Sequence, residues 1–421
     1  IVQFKYSVAN IDIDFRMSHA KKTISKFAES YQDYKKKYGI KLVQRKLNFE
    51  LITNRPIYKQ LLNAIKALAK GLPRTGDVEK QALQFKAASG LDGKSLMEFA
   101  AKCKVIGLSG GLPETKNELA SLMIDWSATN DHIAAARLDK LKQLVRDKAG
   151  NAGTNKNLIT RTDILAALGI SDAEDLLPCK PAIADVNTVV KRAQFNEAVD
   201  IIQNLSMPLL IHASGGVGKT VFMDSLANAF HNKNEVVFFD CFGGGAYRSP
   251  EDVRHLPNKG LVHIANTLAF RGLCDPILPD SRDETYLLKT FRRRLEQCVN
   301  TIKRIEGERE LLIFIDAIDN AELFAHERSE KSFPIFILEC FHHKPIFGVK
   351  LIVSCRTERK PSTQVCYQEF ELRPFNIDET AAYLCTRIKN VSQVEINVAQ
   401  ARSGGNPRVL EYLVKSGRGV L

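Results

Sequence analysis

Hydrophobic and polar positions follow two different rhythms along the chain. The opening Ile-Val-Gln-Phe-Lys-Tyr (1–6) alternates with the two-residue period of a strand. From Ser18 to Lys37 apolar residues recur at the three- and four-residue intervals of an amphipathic helix. "KLNFELITN" (46–54) then predicts a second strand, closed by Asn54-Arg55-Pro56. From Ile57 to Gly150 the pattern predicts helices, with breaks at "GLPRTG" (71–76) and "GLSGGLPET" (107–115). "KAGNAGTNKN" (148–157) carries no large apolar residue and reads as a linker, and "TRTDILAAL" (160–168) as a freshly capped helix. A helical connector then leads to the proline-punctuated "LLPCKPAIAD" (176–185).

Beyond it the rhythm changes. "MPLLIHA" (207–213), "EVVFFD" (235–240), "LLIFID" (311–316) and "VKLIVSC" (349–355) are short, nearly continuous apolar runs separated by helix-length segments. This is the pattern of parallel strands buried on both faces and joined by crossover helices. From Phe375 to Leu421 the chain turns helical again. The expected fold class is therefore α/β, with domains at 1–147, 185–374 and 375–421 and a linker and connector over 148–184.

Composition narrows the functional classes. No apolar run approaches the roughly 18 to 20 residues of a membrane-spanning helix, so the expectation is a cytoplasmic protein without a membrane partner. Nine cysteines form no C-x-x-C pair, which points to free thiols in a reducing compartment. "CFHH" (340–343) lacks a second ligand pair at finger-like spacing, so a zinc site is not expected. The net charge of +12 is uneven: residues 1–150 hold 27 Lys and Arg against 15 Asp and Glu, and the rest hold 33 of each. A basic segment joined to a neutral one suggests that the first domain meets a polyanion.

The clearest chemistry lies in "HASGGVGKT" (212–220), between a strand and a helix start. Ser214, Gly215, Gly216, Val217 and Gly218 would turn backbone N–H groups toward an anion at a helix N-terminus, and Lys219 would reach the outer phosphates. Thr220 would ligate Mg²⁺. The first glycine of the strict phosphate-loop pattern is replaced by Ala213. "LLIFIDAID" is expected to end a buried strand beside that loop, with Asp316 completing the Mg²⁺ site and Asp319 polarising the attacking water. "KLIVSCRTER" (350–359) places Arg356 at a sheet edge, where a guanidinium could read a γ-phosphate. Arg359 is expected to be solvated.

These strings together resemble the STAND NTPases, the branch of P-loop proteins that includes NLR-type sensors. "IFIDAID" is similar to their Walker B, "VSCR" to their sensor strand, "FELRPFNIDETAAYL" to the entry of their lid, and "GGNP" to their GxP signature. "FDCFGGGAYR" (239–248) is similar to a stretch in the anti-phage members called Avs. The resemblance covers roughly 185–421. It implies ATP and Mg²⁺ as cofactors, Arg192 and Pro407 near the nucleotide base, a truncated helical lid leading toward a winged helix, and a homo-oligomer such as a tetramer. It further implies an anti-phage sensor triggered by an invader protein, through a sensor domain outside 1–421.

With such a module behind it, the opening strand gains meaning. Gln3 and Lys5 point to one face, the spacing of the (E/Q)-x-K half of the PD-(D/E)xK nuclease motif. The first domain thus resembles, over roughly 1–145, part of the restriction-endonuclease-like effectors fused to anti-phage STAND proteins (Cap4-type). The resemblance implies a metal-dependent endonuclease on double-stranded DNA, with Gln3 and Lys5 flanking a metal-bound water and the family's Asp and Glu upstream of Ile1. A second reading makes this domain a basic docking module without chemistry, attached to a STAND scaffold or regulator. A third, an AAA+ type motor, is disfavoured by "GGNP".

Overall fold

The computed structural model describes residues 1–5, 12–107, 112–129, 131–150, 159–179, 189–249, 253–280, 283–361 and 365–417. They form two compact units, Ile1–Leu122 and Met123–Leu421. The linker expected at 148–157 lies for the most part outside the described residues.

In the first unit, β1 (Val2–Lys5), β2 (Phe49–Thr53) and β3 (Cys103–Gly107) form a parallel sheet in the order β1-β2-β3. Between them lie α1 (Met17–Tyr38), α2 (Ile40–Lys46), α3 (Lys59–Lys70), α4 (Gly76–Ser89) and α5 (Gly93–Ala100). The helical expectation for 57–150 is corrected by β3: "CKVIG" is a strand of five residues, too short for periodicity to separate strand from helix. The core is aromatic: Phe99 meets Phe49 and Tyr31 at 5.5 Å and Phe85 at 5.7 Å between ring centroids. α1 buries Ile24, Phe27 and Tyr31 against this core. Tyr31 reaches its edge, where the hydroxyl donates to Glu98 at 3.0 Å. Such aromatic pairs add about 0.5–1.5 kcal/mol each beyond the area they bury. The unit holds 22 Lys and Arg against 11 Asp and Glu, nearly the whole excess of the chain.

The chain leaves this unit within α6 (Leu112–Ser127); α7 (Asp131–Gly150) and α8 (Arg161–Ala167) follow. Thr160 caps α8, accepting from the Asp163 amide. The second unit is organised by five parallel strands: β4 (Leu209–Ala213), β5 (Glu235–Asp240), β6 (Leu311–Asp316), β7 (Val349–Arg356) and β8 (Gln368–Glu371). Their order is β5-β6-β7-β4-β8. The crossovers run through α10 (Lys219–Phe230), α11 (Pro257–Phe270), α12 (Glu284–Glu306), α13 (Ile318–Glu327) and α14 (Phe333–His343), after a leading α9 (Phe195–Gln203).

Every residue of β6 is buried. Leu311, Ile313 and Ile315 face one core cluster, Leu312 and Phe314 the other. A strand covered on both faces cannot alternate apolar with polar, and this explains the continuous runs in the sequence. α15 (Ile377–Cys385), α16 (Gln393–Ser403) and α17 (Pro407–Lys415) complete the unit. Their starts are written locally: Asn376 with Glu379 and Ser392 with Glu395 form capping boxes, and Pro407 opens α17 behind the cap Asn406. Among the described residues, no helix is long and apolar enough to cross a membrane.

Candidate functional site

At the C-terminal edge of the five-stranded sheet, β4 breaks into Ser214–Gly218 and re-enters as α10 at Lys219. Gly216 and Gly218 take positive φ, +83° and +93°. At Gly216 space is short as well: a Cβ would stand 2.7 Å from Asn406 Oδ1. The Lys219 ammonium donates to the Ala213 and Ser214 carbonyls at 2.7 and 3.1 Å, so it lies across its own loop. Burial lowers its pKa, opposed by the nearby Asp319 and Asp316.

Thr220 donates to Asp316 Oδ2 at 2.6 Å. Asp316 does not end the strand next to the loop, as the sequence suggested, because β7 lies between β4 and β6. The loop still reaches it, since all three strands end at one edge. Asp316 is fully buried. Desolvation pushes its pKa up to about 6, against the hydrogen bonds from Ser354 and Thr220 that favour its charged form. Asp319, in the first turn of α13, lies near Arg356 Nε at 3.7 Å and Arg359 at 4.0 Å. Arg359 is exposed, as expected, while approaching this carboxylate. Burial raises the pKa of Asp319 and carries that of Glu322, on the next turn, to about 7. Among the described residues, Glu322 Oε1 and Asp319 Oδ2 have no hydrogen-bond partner.

These groups border a cavity of about 660 Å³ lined by the loop glycines, Lys219, Thr220, Asp319 and Arg356 on one side. Phe195, Phe375, Tyr383 and Pro407 give it an apolar wall. The volume falls in the range of small-molecule and cofactor sites. Arg192, at 7% exposure, is held from several directions. Its Nε donates to Glu379 Oε1 at 3.2 Å, its Nη1 to the Val217 carbonyl at 3.2 Å, its Nη2 to the Arg373 carbonyl, and its guanidinium lies 4.7 Å over Phe375. From the C-terminal helices, Asn406 donates to the Gly215 carbonyl at 2.9 Å and the Arg408 amide to the Gly216 carbonyl at 3.3 Å. "GGNPR" therefore rests directly on the phosphate loop. Its Gly405 is needed there, since a Cβ would fall 2.1 Å from the Phe375 carbonyl oxygen.

The structure thus sets Arg192, Gly215, Gly216, Gly218, Lys219, Thr220, Asp319, Arg356 and Pro407 around one cavity, with Asp316 buried behind Thr220 and Ser214 and Val217 in the same loop but off its lining. Gln3 and Lys5 belong to the other unit, on β1 in register with Leu51 and Thr53 of β2. Gln3 is exposed and Lys5 half-buried. Sequence reasoning missed Glu379, Asn406 as a loop contact, Ser354 and Glu322. Glu379 carried a local signal as the third residue of a capping box, but its pairing with Arg192 spans 187 positions and leaves no local trace.

Oxygen donors at Thr220 and Asp316 suit a hard divalent cation such as Mg²⁺, which takes few protein ligands beside phosphate oxygens. Among the described residues, no group of three or more His, Cys, Asp and Glu side chains gathers to hold a metal ion.

A protein-family model described as nephrocystin 3, N-terminal, matches residues 187–356, less than half of the chain. No curated protein matches the chain. Solved structures similar to it include a STAND (signal transduction ATPase with numerous domains) protein with a tetratricopeptide repeat sensor from Pyrococcus horikoshii, at 16% identity and a TM-score of 0.36. That match covers 56% of this chain and 31% of the other. A Walker-type ATPase of Pyrococcus abyssi aligns at 15% identity over 58% of this chain and 73% of its own, TM-score 0.38. Cdc6p from Pyrobaculum aerophilum aligns at 14% identity over 58% and 66%, TM-score 0.35. The chain spans about a third of the length of the STAND protein it resembles.

Proposed function

We propose that the second unit is a STAND-type ATPase switch. The observation that carries this is the Thr220–Asp316 contact at 2.6 Å beneath a glycine cradle that opens onto the cavity. ATP phosphates would lie on the Gly215–Gly218 amides and the N-terminus of α10, with Lys219 turned from its own carbonyls onto the outer phosphates. Thr220 and Asp316 would hold Mg²⁺, which supplies charge neutralisation of the phosphates when bound. Asp319 would orient the attacking water and accept its proton, and Arg356 would leave Asp319 to contact the γ-phosphate. Asn406 and Arg408, which rest on the loop, would give the C-terminal helices a direct reading of the loop's occupancy. Nucleotide and trigger would then both favour an open state, and only their differential affinity for it moves the population.

The first unit is read as the effector. Its charge suits DNA, and Gln3 with Lys5 suits the metal-assisted cleavage of a phosphodiester. Together these make the protein an anti-phage sensor: an invader protein triggers homo-oligomerisation, and assembled effector units cut double-stranded DNA. A second reading, a basic DNA-docking module on an ATPase scaffold, is favoured by the excess charge of the unit itself, which any polyanion contact would use.

The experiment combines the protein, ATP, Mg²⁺ and double-stranded DNA, with infected-cell lysate as the source of trigger. Wild type should degrade the DNA, while Lys5→Ala and Lys219→Ala should lose more than about a hundredfold in rate, as expected when a group at the reacting centre is removed. Cleavage by Lys5→Ala at the wild-type rate ends the nuclease reading. Cleavage by Lys219→Ala ends the switch. Retention of DNA without any cutting supports the docking module.

A further inference from the structure

Between the two strands that carry the phosphate loop and Asp316 runs β7, and its Ser354 takes no part in the chemistry above. Ile315 pairs with Val353 and Ile211 with Ser354, so the register sets Ser354 beside Asp316 on one side and the middle of β4 on the other. The side chain is fully buried. Its hydroxyl donates to Asp316 Oδ1 and accepts from the Ala317 amide at 2.9 Å. Asp316 then keeps Oδ2 for Thr220. Ala317 has φ +57° and ψ +47°, a left-handed conformation that costs a residue with a Cβ roughly 1 kcal/mol or more. That turn starts α13 and brings Asp319, two residues on, to the cavity.

We infer that Ser354 is a positioning residue for both acidic groups of the site: its one hydroxyl orients the Asp316 carboxylate and anchors the strained Ala317 turn that aims Asp319. The inference rests on the ATPase reading of this cavity. A hydroxyl is suited to the task because it donates and accepts at once, in a place where an unpaired carboxylate oxygen or amide would be buried. Alanine would leave both unpaired. Threonine keeps the hydroxyl, and cysteine offers only a weak donor at a longer bond.

The test compares wild type with Ser354→Ala, Ser354→Thr and Lys219→Ala. Electron paramagnetic resonance reads Mn²⁺ binding in the presence of ATP, a fluorescent ATP analogue reads metal-free nucleotide affinity, and thermal melting reads folding. Outer-shell partners of metal ligands typically carry 10- to 100-fold in metal affinity. Ser354→Ala should therefore weaken Mn²⁺ binding about tenfold or more and leave metal-free nucleotide affinity within about twofold. Its kcat for ATP should fall more than its KM rises, and Ser354→Thr should restore Mn²⁺ binding. Unchanged Mn²⁺ binding in folded Ser354→Ala overturns the inference. So does an equal loss of metal-free and metal-dependent binding, which would mean only a damaged fold. If Ser354→Ala does not fold, Ser354→Thr decides: Mn²⁺ affinity near wild type supports positioning, and a tenfold loss in the folded variant overturns it. Lys219→Ala separates the two layers. If wild type binds nucleotide no better than Lys219→Ala, the ATPase reading fails and takes this inference with it. If wild type binds well and only Ser354→Ala behaves like wild type toward Mn²⁺, the inference alone fails.

Discussion

Two parallel sheets end in polar residues at their C-terminal edges, and they differ in how those residues are held. In the second unit Thr220 and Ser354 both donate to Asp316, and the buried Asp319 carboxylate lies near the half-exposed Arg356 and Arg359. In the first unit Lys5 ends a strand of four residues at the sheet's edge, half-buried beside Thr53, and Gln3 is exposed. Groups preorganised in a low-dielectric pocket have their orientation fixed before ligand arrives. The site of the second unit can therefore be read from its own contacts, whereas the proposal for Gln3 and Lys5 rests on their spacing and on the charge of their unit.

If that contrast is right, the largest cost of disturbing the second site should come from its buried charges. Arg192 and Glu379 have side chains only 7% and 8% exposed. Arg192→Ala strands the Glu379 carboxylate and should destabilise the second unit by about 3 kcal/mol, read from urea unfolding. Replacing both partners, as Arg192→Met with Glu379→Leu, should recover most of that loss, since an apolar pair leaves no charge uncompensated. A double variant as unstable as the single one would show that the pair is not what holds Arg192 in place.

A smaller effect is expected from Glu322. Its pKa is raised from the ordinary carboxylate value to about 7 by burial, with Asp319 adding repulsion. The folded protein therefore holds a proton there that the unfolded chain has released, so stability is greatest below about pH 4.5 for this group and is lost as pH rises toward 7. The change amounts to roughly 1–3 kcal/mol. Glu322→Gln should flatten the melting-temperature profile between about pH 4.5 and 7. An unaltered slope would place the desolvated charge elsewhere.

Much of this arrangement was legible in the sequence for identifiable reasons. Strands β4 to β7 announced themselves because double-sided burial forces unbroken apolar runs, and the phosphate loop because its glycines and Lys-Thr sit at fixed offsets. The capped start at Thr160 was likewise visible in "TRTDILAAL". Strand β3 was hidden by its length and by the helical patterns on either side. Long-range order was hidden as well: the placement of β7 between β4 and β6 follows from crossover topology, and without it neither the role of Ser354 nor the indirect approach of Thr220 to Asp316 could be seen. Glu379 was missed although it completes a capping box, because its second carboxylate oxygen serves a partner 187 positions away.

The most direct test of the central claim is a calorimetric titration of the nucleotide-free protein with ATP and Mg²⁺, run beside Lys219→Ala. The account predicts saturable binding at one site per chain, weakened at least tenfold by loss of the Lys219 ammonium. Equal affinity in the two proteins, or no binding in either, would contradict the assignment of this cavity to a nucleotide.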